Sequence, residues 1–212
     1  MITDSLGPVS FLLLIALVLG TLALGGAFVV ALLLRQVAWA LRIAALEVAG
    51  VGLYLALFLI AGLTSRTHLL AIGQEKHICE VDCHLAYAVT NVQHAKTWEG
   101  QTARGTFTIV TVRARFDSLT ISARRPRDAA LVPNPRTVEV VDGQGRHYPA
   151  DPQPLYRALI PGQQFTTDFV FDLPGDATDL RLVLAAEDWP TRFMIAHENA
   201  FLHGKVLFGL TS

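Results

Sequence analysis

The stretch VSFLLLIALVLGTLALGGAFVVALLL, residues 9–34, contains no charged side chain. At about 1.5 Å of rise per residue, a helix over it is longer than the roughly 30 Å hydrocarbon thickness of a bilayer, so it reads as a membrane span. The preceding MITDSLGP has Asp4 but no Lys or Arg, whereas a cleaved signal peptide opens on positive charge and has a shorter apolar core. The helix is therefore expected to stay attached. A second apolar run, from Ile43 to Leu63, is also long enough to span. Between the runs, RQVAWALR at residues 35–42 carries Arg35, Arg42 and the interfacial-type residue Trp39, and reads as a short cytoplasmic turn. Positive charge on that loop then places the N-terminus and everything after Leu63 outside.

Small residues recur on both runs, at Ala16, Gly20, Ala23, Ala27 and Ala31 and again at Ala45, Ala49, Gly52 and Ala56. Such stripes let helix backbones approach, so the two helices are expected to pack along them. Glu47 points away from the stripe, and an ionisable residue in a span usually has a partner. Glu47 and Tyr54, two turns apart on one face, are the candidates for contact with another membrane protein. Otherwise Glu47, about one turn deep, reaches the interface or Arg42.

After Ser65 the pattern changes. KHIC, CHLAYAVTNV, TFTIVTVRARF, TVEVV, TDFVFDL, LRLVLA, RFMIA and KVLFGL are short runs rich in Val, Ile, Phe and Thr, separated by Gly, Pro and Asp. In TFTIVTVRARF, Val110, Val112, Ala114 and Phe116 alternate with Thr111, Arg113 and Arg115, the pattern of a strand with one wet face. DGQG at Asp142 to Gly145 reads as a hairpin turn, and ARRPRDAALVPNP, residues 123–135, as a surface loop. Seven or eight such strands and no convincing helix argue for an all-β antiparallel sandwich. The division expected is residues 1–65 as a transmembrane helical hairpin, with helices over about 9–34 and 43–63, and 66–212 as a β-sandwich domain. A formal net charge of -1 gives no electrostatic case for nucleic acid.

The order GQEKHICEVDCHLAYAV, VEVVDGQGRHY and PGQQFTTDFVFDLP resembles the immunoglobulin-like (telokin-like) extracytoplasmic domains of bacterial membrane-anchored proteins of unknown function. It shares with them an Asp-x-x-Gly before a Tyr, a Pro-Gly turn and an apolar strand ending in Pro. The resemblance spans roughly Gly73 to Leu210. It implies a sandwich outside a bacterial inner membrane, periplasmic or extracellular, acting as a non-catalytic binding or accessory subunit beside another membrane or envelope protein.

Chemistry-bearing residues concentrate in HICEVDCH: His77, Cys79, Glu80, Asp82, Cys83 and His84. Three readings stand. EVD is a tight turn stapled by a Cys79–Cys83 disulfide, which an oxidising compartment favours; along a straight strand the two would lie roughly 13 Å apart, beyond disulfide reach. Alternatively, Cys79-x-x-x-Cys83-His84 resembles the haem c attachment motif with one extra residue. Thirdly, two helices before an external β-domain resemble cytochrome c oxidase subunit II, whose binuclear copper loop has two Cys three residues apart, then His and Met; the matching positions here are Tyr87 and Thr90. Further soft or imidazole ligands are His94, His197, His203 and Met194. Nucleophilic catalysis lacks a motif: there is no Gly-x-Ser-x-Gly elbow, phosphate loop or His-Glu-x-x-His helix, and His197-Glu198-Asn199 with His203 make only a weak acid–base set.

Overall fold

The computed structural model describes residues 7–78, 84–121, 126–186 and 189–210. Two compact units result: residues 67–186 with 205–210 form one, and residues 7–66 with 189–204 the other.

The helical unit opens with α1 (Gly7–Leu33) and α2 (Val37–Thr64). Their connection is shorter than the sequence suggested. Arg35 adopts φ 58°, and the Arg35 and Gln36 N–H groups bond back to the Leu32 and Ala31 carbonyls. This closes α1 with a Schellman motif and lets α2 start at Val37, inside the expected loop. Trp39 and Arg42 consequently lie on the first turns of α2, with the guanidinium 5.3 Å from the indole centroid.

The expected small-residue packing does not form. Ala16, Ala23, Ala27, Ala45, Ala49, Gly52 and Ala56 are exposed, and an added Cβ at Gly20, Gly25, Gly50 or Gly52 would meet nothing within 4 Å. The less exposed face of α1 runs Ser10, Leu14, Leu17, Thr21, Leu24, Phe28, Ala31, and that of α2 runs Ala40, Ile43, Glu47, Val51, Tyr54, Phe58, Ala61. These steps of three and four approximate a period of 3.5, the seam of a left-handed helix pair. Larger side chains interlocking at heptad spacing replace close backbone contact.

The other unit is a β-sandwich. Its strands are β1 (His68–Leu70), β2 (Lys76–Ile78), β3 (Leu85–Trp98), β4 (Gln101–Phe116), β5 (Thr137–Val141), β6 (His147–Ala150), β7 (Gln164–Leu173), β8 (Arg181–Ala185) and β9 (Val206–Gly209). One sheet is ordered β1-β9-β8-β5-β6 and the other β2-β3-β4-β7. On β4 the alternation behaves as read: Val110, Val112, Ala114 and Phe116 are fully buried. They meet Val138, Val140, Leu182, Leu184 and Phe208 of the opposite sheet in one core. Each buried aliphatic or aromatic side chain there contributes about 1.5–3 kcal/mol.

Two expectations are corrected. The sandwich is not wholly antiparallel, because β1 pairs parallel with β9; the chain between them supplies the long crossover that a parallel pair needs. RFMIA is not a strand, since Trp189–Phe193 forms a 3-10 helix. The DGQG turn is present and strongly held. Asp142 accepts hydrogen bonds from the Gln144 and Arg146 N–H groups, the Arg146 guanidinium and the Tyr148 hydroxyl, while Gly145 supplies φ +77°. The Asp-x-x-Gly and Tyr behind the family resemblance are thus one structural knot.

A feature with no counterpart in the sequence reading crosses between the sheets. β8 and β9 are paired only at Arg181 with Gly209 and Leu182 with Phe208. Continuing that register would set Leu184 opposite Val206. There the buried Lys76 ammonium, arriving from β2, donates to both carbonyls, at 2.8 and 3.0 Å. One cation takes the place of ladder bonds at this point. Lys76→Met keeps the stem but removes the donors, leaving two carbonyls in the interior. It is expected to cost about 2–4 kcal/mol, read as a lowered denaturant midpoint at unchanged m-value; a loss below about 1 kcal/mol would show the carbonyls are satisfied without it.

Candidate functional site

Ile78 of β2 pairs antiparallel with Leu85 of β3, so the strands that flank CEVDCH lie side by side. Cys79 and Cys83, with Glu80 and Asp82, lie outside the described residues. The side chains that frame the hairpin are described. His84 is buried, its Nδ1 lies 2.7 Å from the Thr120 hydroxyl, and its ring stacks on Phe116 at 5.6 Å. These contacts hold the imidazole as part of the domain edge. His77 is half-buried on β2, and its Nδ1 has no hydrogen-bond partner among the described residues.

Charge surrounds the same edge. Glu75 accepts from Arg113 at 3.0 Å and from Arg115 at 2.7 Å, and Arg115 also reaches Asp117 at 3.4 Å. The alternation that buries Val112, Ala114 and Phe116 puts both arginines on the opposite face of β4. Glu75 is held below its ordinary value by its Arg115 hydrogen bond, which outweighs burial, with the positive charges of Arg115 and Arg113 assisting. For Asp117, burial acts upward but is overcome by the Leu119 N–H and Arg115, so its carboxyl also lies low. Burial lowers His77, against the pull of Asp117 and Glu75. The cluster is internally compensated: each carboxylate has a cation, and the imidazole favours neutrality.

A cavity of about 70 Å³ opens beside the hairpin, lined by Ile78, Leu85, Tyr87, Leu131, Val132 and Asn134. Pockets for organic ligands typically run to several hundred Å³, so this one suits a water or two. Tyr87 is a core residue, and Thr90 donates to the Thr111 carbonyl. The scattered ligand candidates do not converge. His94 faces Thr108 on the outer surface of β3, while Met194, His197 and His203 belong to the segment at 189–204 in the helical unit. Among the described residues no three His, Cys, Asp or Glu side chains are grouped for a metal.

In the helices, Glu47 and Tyr54 both lie on the half-buried face of α2. The Tyr54 hydroxyl donates to the Phe193 carbonyl at 2.7 Å, so its polar tip is used within the chain. Sequence reading missed Lys76 and the association of residues 189–204 with the helices. The available signal for the second was aromatic: Trp189, Phe193 and Phe201 within one short stretch that lacks strand alternation.

No family model matches the chain, and no curated protein matches it. Solved structures similar to it include a secreted protein of Mycobacterium tuberculosis, MPT63, at 12% identity and a TM-score of 0.42, covering 67% of this chain and 98% of that one. The YjhA protein of Bacillus subtilis aligns at 15% identity and 0.39, over 68% of this chain and 100% of its own. An uncharacterised β-sandwich protein of Clostridium difficile aligns at 11% identity and 0.37, over 69% and 96%.

Acid should loosen this edge. His77 has a folded pKa below its ordinary 6.5, and Glu75 and Asp117 lie below 4.5 and 3.8. At each group the unfolded chain takes up its proton first as pH falls, so stability is full above the unfolded value and declines below it. The expected melting temperature therefore falls in two stages, one beginning below about pH 6.5 and one below about pH 4.5. His77→Gln should abolish the first stage and retain the second; a variant that keeps both would place the upper titration elsewhere.

Proposed function

We propose that the chain is a membrane-anchored extracytoplasmic protein whose immunoglobulin-like sandwich serves as a non-catalytic binding or accessory subunit of an envelope or membrane complex. One observation carries the reading: Val9–Leu33 and Val37–Thr64 have mean hydropathies of 2.6 and 2.3 over their most apolar windows, and none of those window residues is buried. A bilayer covers such a surface; water does not. Arg35 and Arg42 at the closed end of the hairpin favour that end as cytoplasmic, with both termini outside a bacterial inner membrane. The exposed, Arg- and Asp-bearing outer faces of the sandwich then meet aqueous partners.

In that oxidising compartment Cys79 and Cys83 are proposed as a disulfide across the β2–β3 connection. The pairing of Ile78 with Leu85 supports this reading. The competing assignment is haem c or copper at Cys79, Cys83 and His84, whose Nδ1 contact with Thr120 is of the kind that orients a ligating imidazole.

Two experiments test the proposal. In a Cys79→Ser/Cys83→Ser background, a cysteine placed at Gln36 is expected to resist a membrane-impermeant thiol reagent in intact cells, while one at Gln144 reacts. The reverse pattern inverts the topology, and reaction at both removes the anchor. For the native cysteines, the intact mass should lie below the reduced mass by two hydrogens, with no visible absorption. The loop is very short, so the double Ser variant should lose no more than the low end of the ~2–4 kcal/mol typical of disulfides. A haem mass, stoichiometric copper or fully alkylatable thiols would overturn the assignment.

A further inference from the structure

Residues 189–204 are built inside out. Their aromatic side chains and Leu202 face outward while Met194 and Ala200 are buried: Trp189 is 72% exposed, Leu202 64%, Phe201 50% and Phe193 38%. The polar side chains of Thr191, His197 and Asn199 are buried, with the Asn199 amide 3.5 Å from the Thr191 hydroxyl. In water the opposite arrangement is expected. The three aromatics pack edge to face, Trp189 on Phe193 at 5.2 Å and Phe193 on Phe201 at 5.5 Å, and form one continuous patch.

Much of the segment's backbone is paired within the chain. The Met194, His197, Ala200, Phe201 and His203 N–H groups bond to carbonyls inside the segment, and the Asn199 N–H bonds to the His197 ring. The helices supply three further partners. The Ser10 hydroxyl donates to the Ile195 carbonyl at 2.6 Å, Tyr54 to Phe193, and the Gly204 N–H donates to the Ser65 hydroxyl. Gly62 admits the Leu202 side chain, since an added Cβ there would sit 3.2 Å from the Leu202 Cβ. Internal satisfaction of this kind is what non-helical backbone requires at membrane depth.

Depth follows from the helix. Tyr54 lies ten residues before the end of α2 at Thr64, about 15 Å along the axis. A helix of 28 residues is about 42 Å long, so a centred hydrocarbon layer of about 30 Å begins about 6 Å inside its end. The Phe193 carbonyl therefore sits below the headgroups.

We propose that residues 189–204 are a third membrane element, a re-entrant loop that inserts Trp189, Phe193, Phe201 and Leu202 among the acyl chains of the leaflet holding the open end of the hairpin. The occupant of the patch is lipid, because the segment is hydrogen-bonded to helices whose own apolar side chains are exposed, and it combines aromatic anchors with a backbone largely paired within the chain. Arg192 is exposed, and its long stem lets the guanidinium reach toward the headgroups. The inference rests on the transmembrane reading of the hairpin.

The test separates the two. The chain has three tryptophans. In the full chain reconstituted into phosphatidylcholine vesicles, Trp39→Phe/Trp98→Phe leaves Trp189 as sole reporter, and Trp98→Phe/Trp189→Phe leaves Trp39 on the opposite end of the hairpin. Lipids brominated at the headgroup end of the acyl chain are expected to remove most of the emission of Trp189 and to quench Trp39, at the interface, in part. Quenching of Trp39 with an unchanged Trp189 would overturn the loop insertion while the hairpin stands, and would mean that water or protein covers the patch. If neither tryptophan is quenched, both readings fall.

Discussion

Every backbone N–H and C=O removed from water must find a partner inside the chain, and this requirement organises both units. The two helices meet it internally, which leaves their apolar side chains free to face outward. The sandwich meets it with ladders, except where β8 and β9 stop pairing after Leu182. A donor with no acceptor of its own suits two facing carbonyls at that point. The Lys76 ammonium, with three donors and no acceptor, is such a donor, and it links strand β2 to the opposite sheet. The cost of burying the cation is offset only because its hydrogen bonds are made.

Charge elsewhere is spent in the same structural way. Asp142 is consumed by its own hairpin, Glu75 and Asp117 by arginines of β4 and its end, and Asp172 by the Arg104 and Gly105 N–H groups. Gly105 is required at that last point, because an added Cβ would collide with the Leu173 carbonyl. These described ionic groups are paired within the sandwich and hold its turns and strand edges in place.

Sequence legibility followed the strength of local pattern. The second half of β4 was readable because Val110, Val112, Ala114 and Phe116 alternate with Thr111, Arg113 and Arg115, and the DGQG turn because glycine marked a positive φ. The strand β1 was missed: HLL is too short to show a period, and it pairs only with β9; HYPA is as short, and only the hairpin turn before it marked it as the partner of β5. RFMIA was misread for the complementary reason, since β-prone composition without alternation does not choose between strand and a loop held by tertiary contacts. Lys76 was invisible in principle, because its role depends on two carbonyls more than a hundred residues downstream. At HICEVDCH spacing showed only that a disulfide would require a turn, and the fate of the two thiols depends on geometry that spacing does not carry.

The helix seam and the segment at 189–204 obey one rule that the small-residue stripe obscured. Polar and larger apolar side chains face inward where a stripe of small residues was expected to. Ser10, Thr21, Glu47 and Tyr54 lie on the less exposed faces of the helices beside Leu14, Leu24, Phe28 and Phe58, and Thr191, His197 and Asn199 are buried in the segment. Ser10 and Tyr54 go further by donating to the segment's carbonyls. A stripe of alanines offers neither a hydrogen bond nor a knob to interlock, and most of it remains on the outside, Gly20 and Ala31 excepted. Two polar residues of the apolar runs, Ser10 and Tyr54, thus tie the segment to the helices.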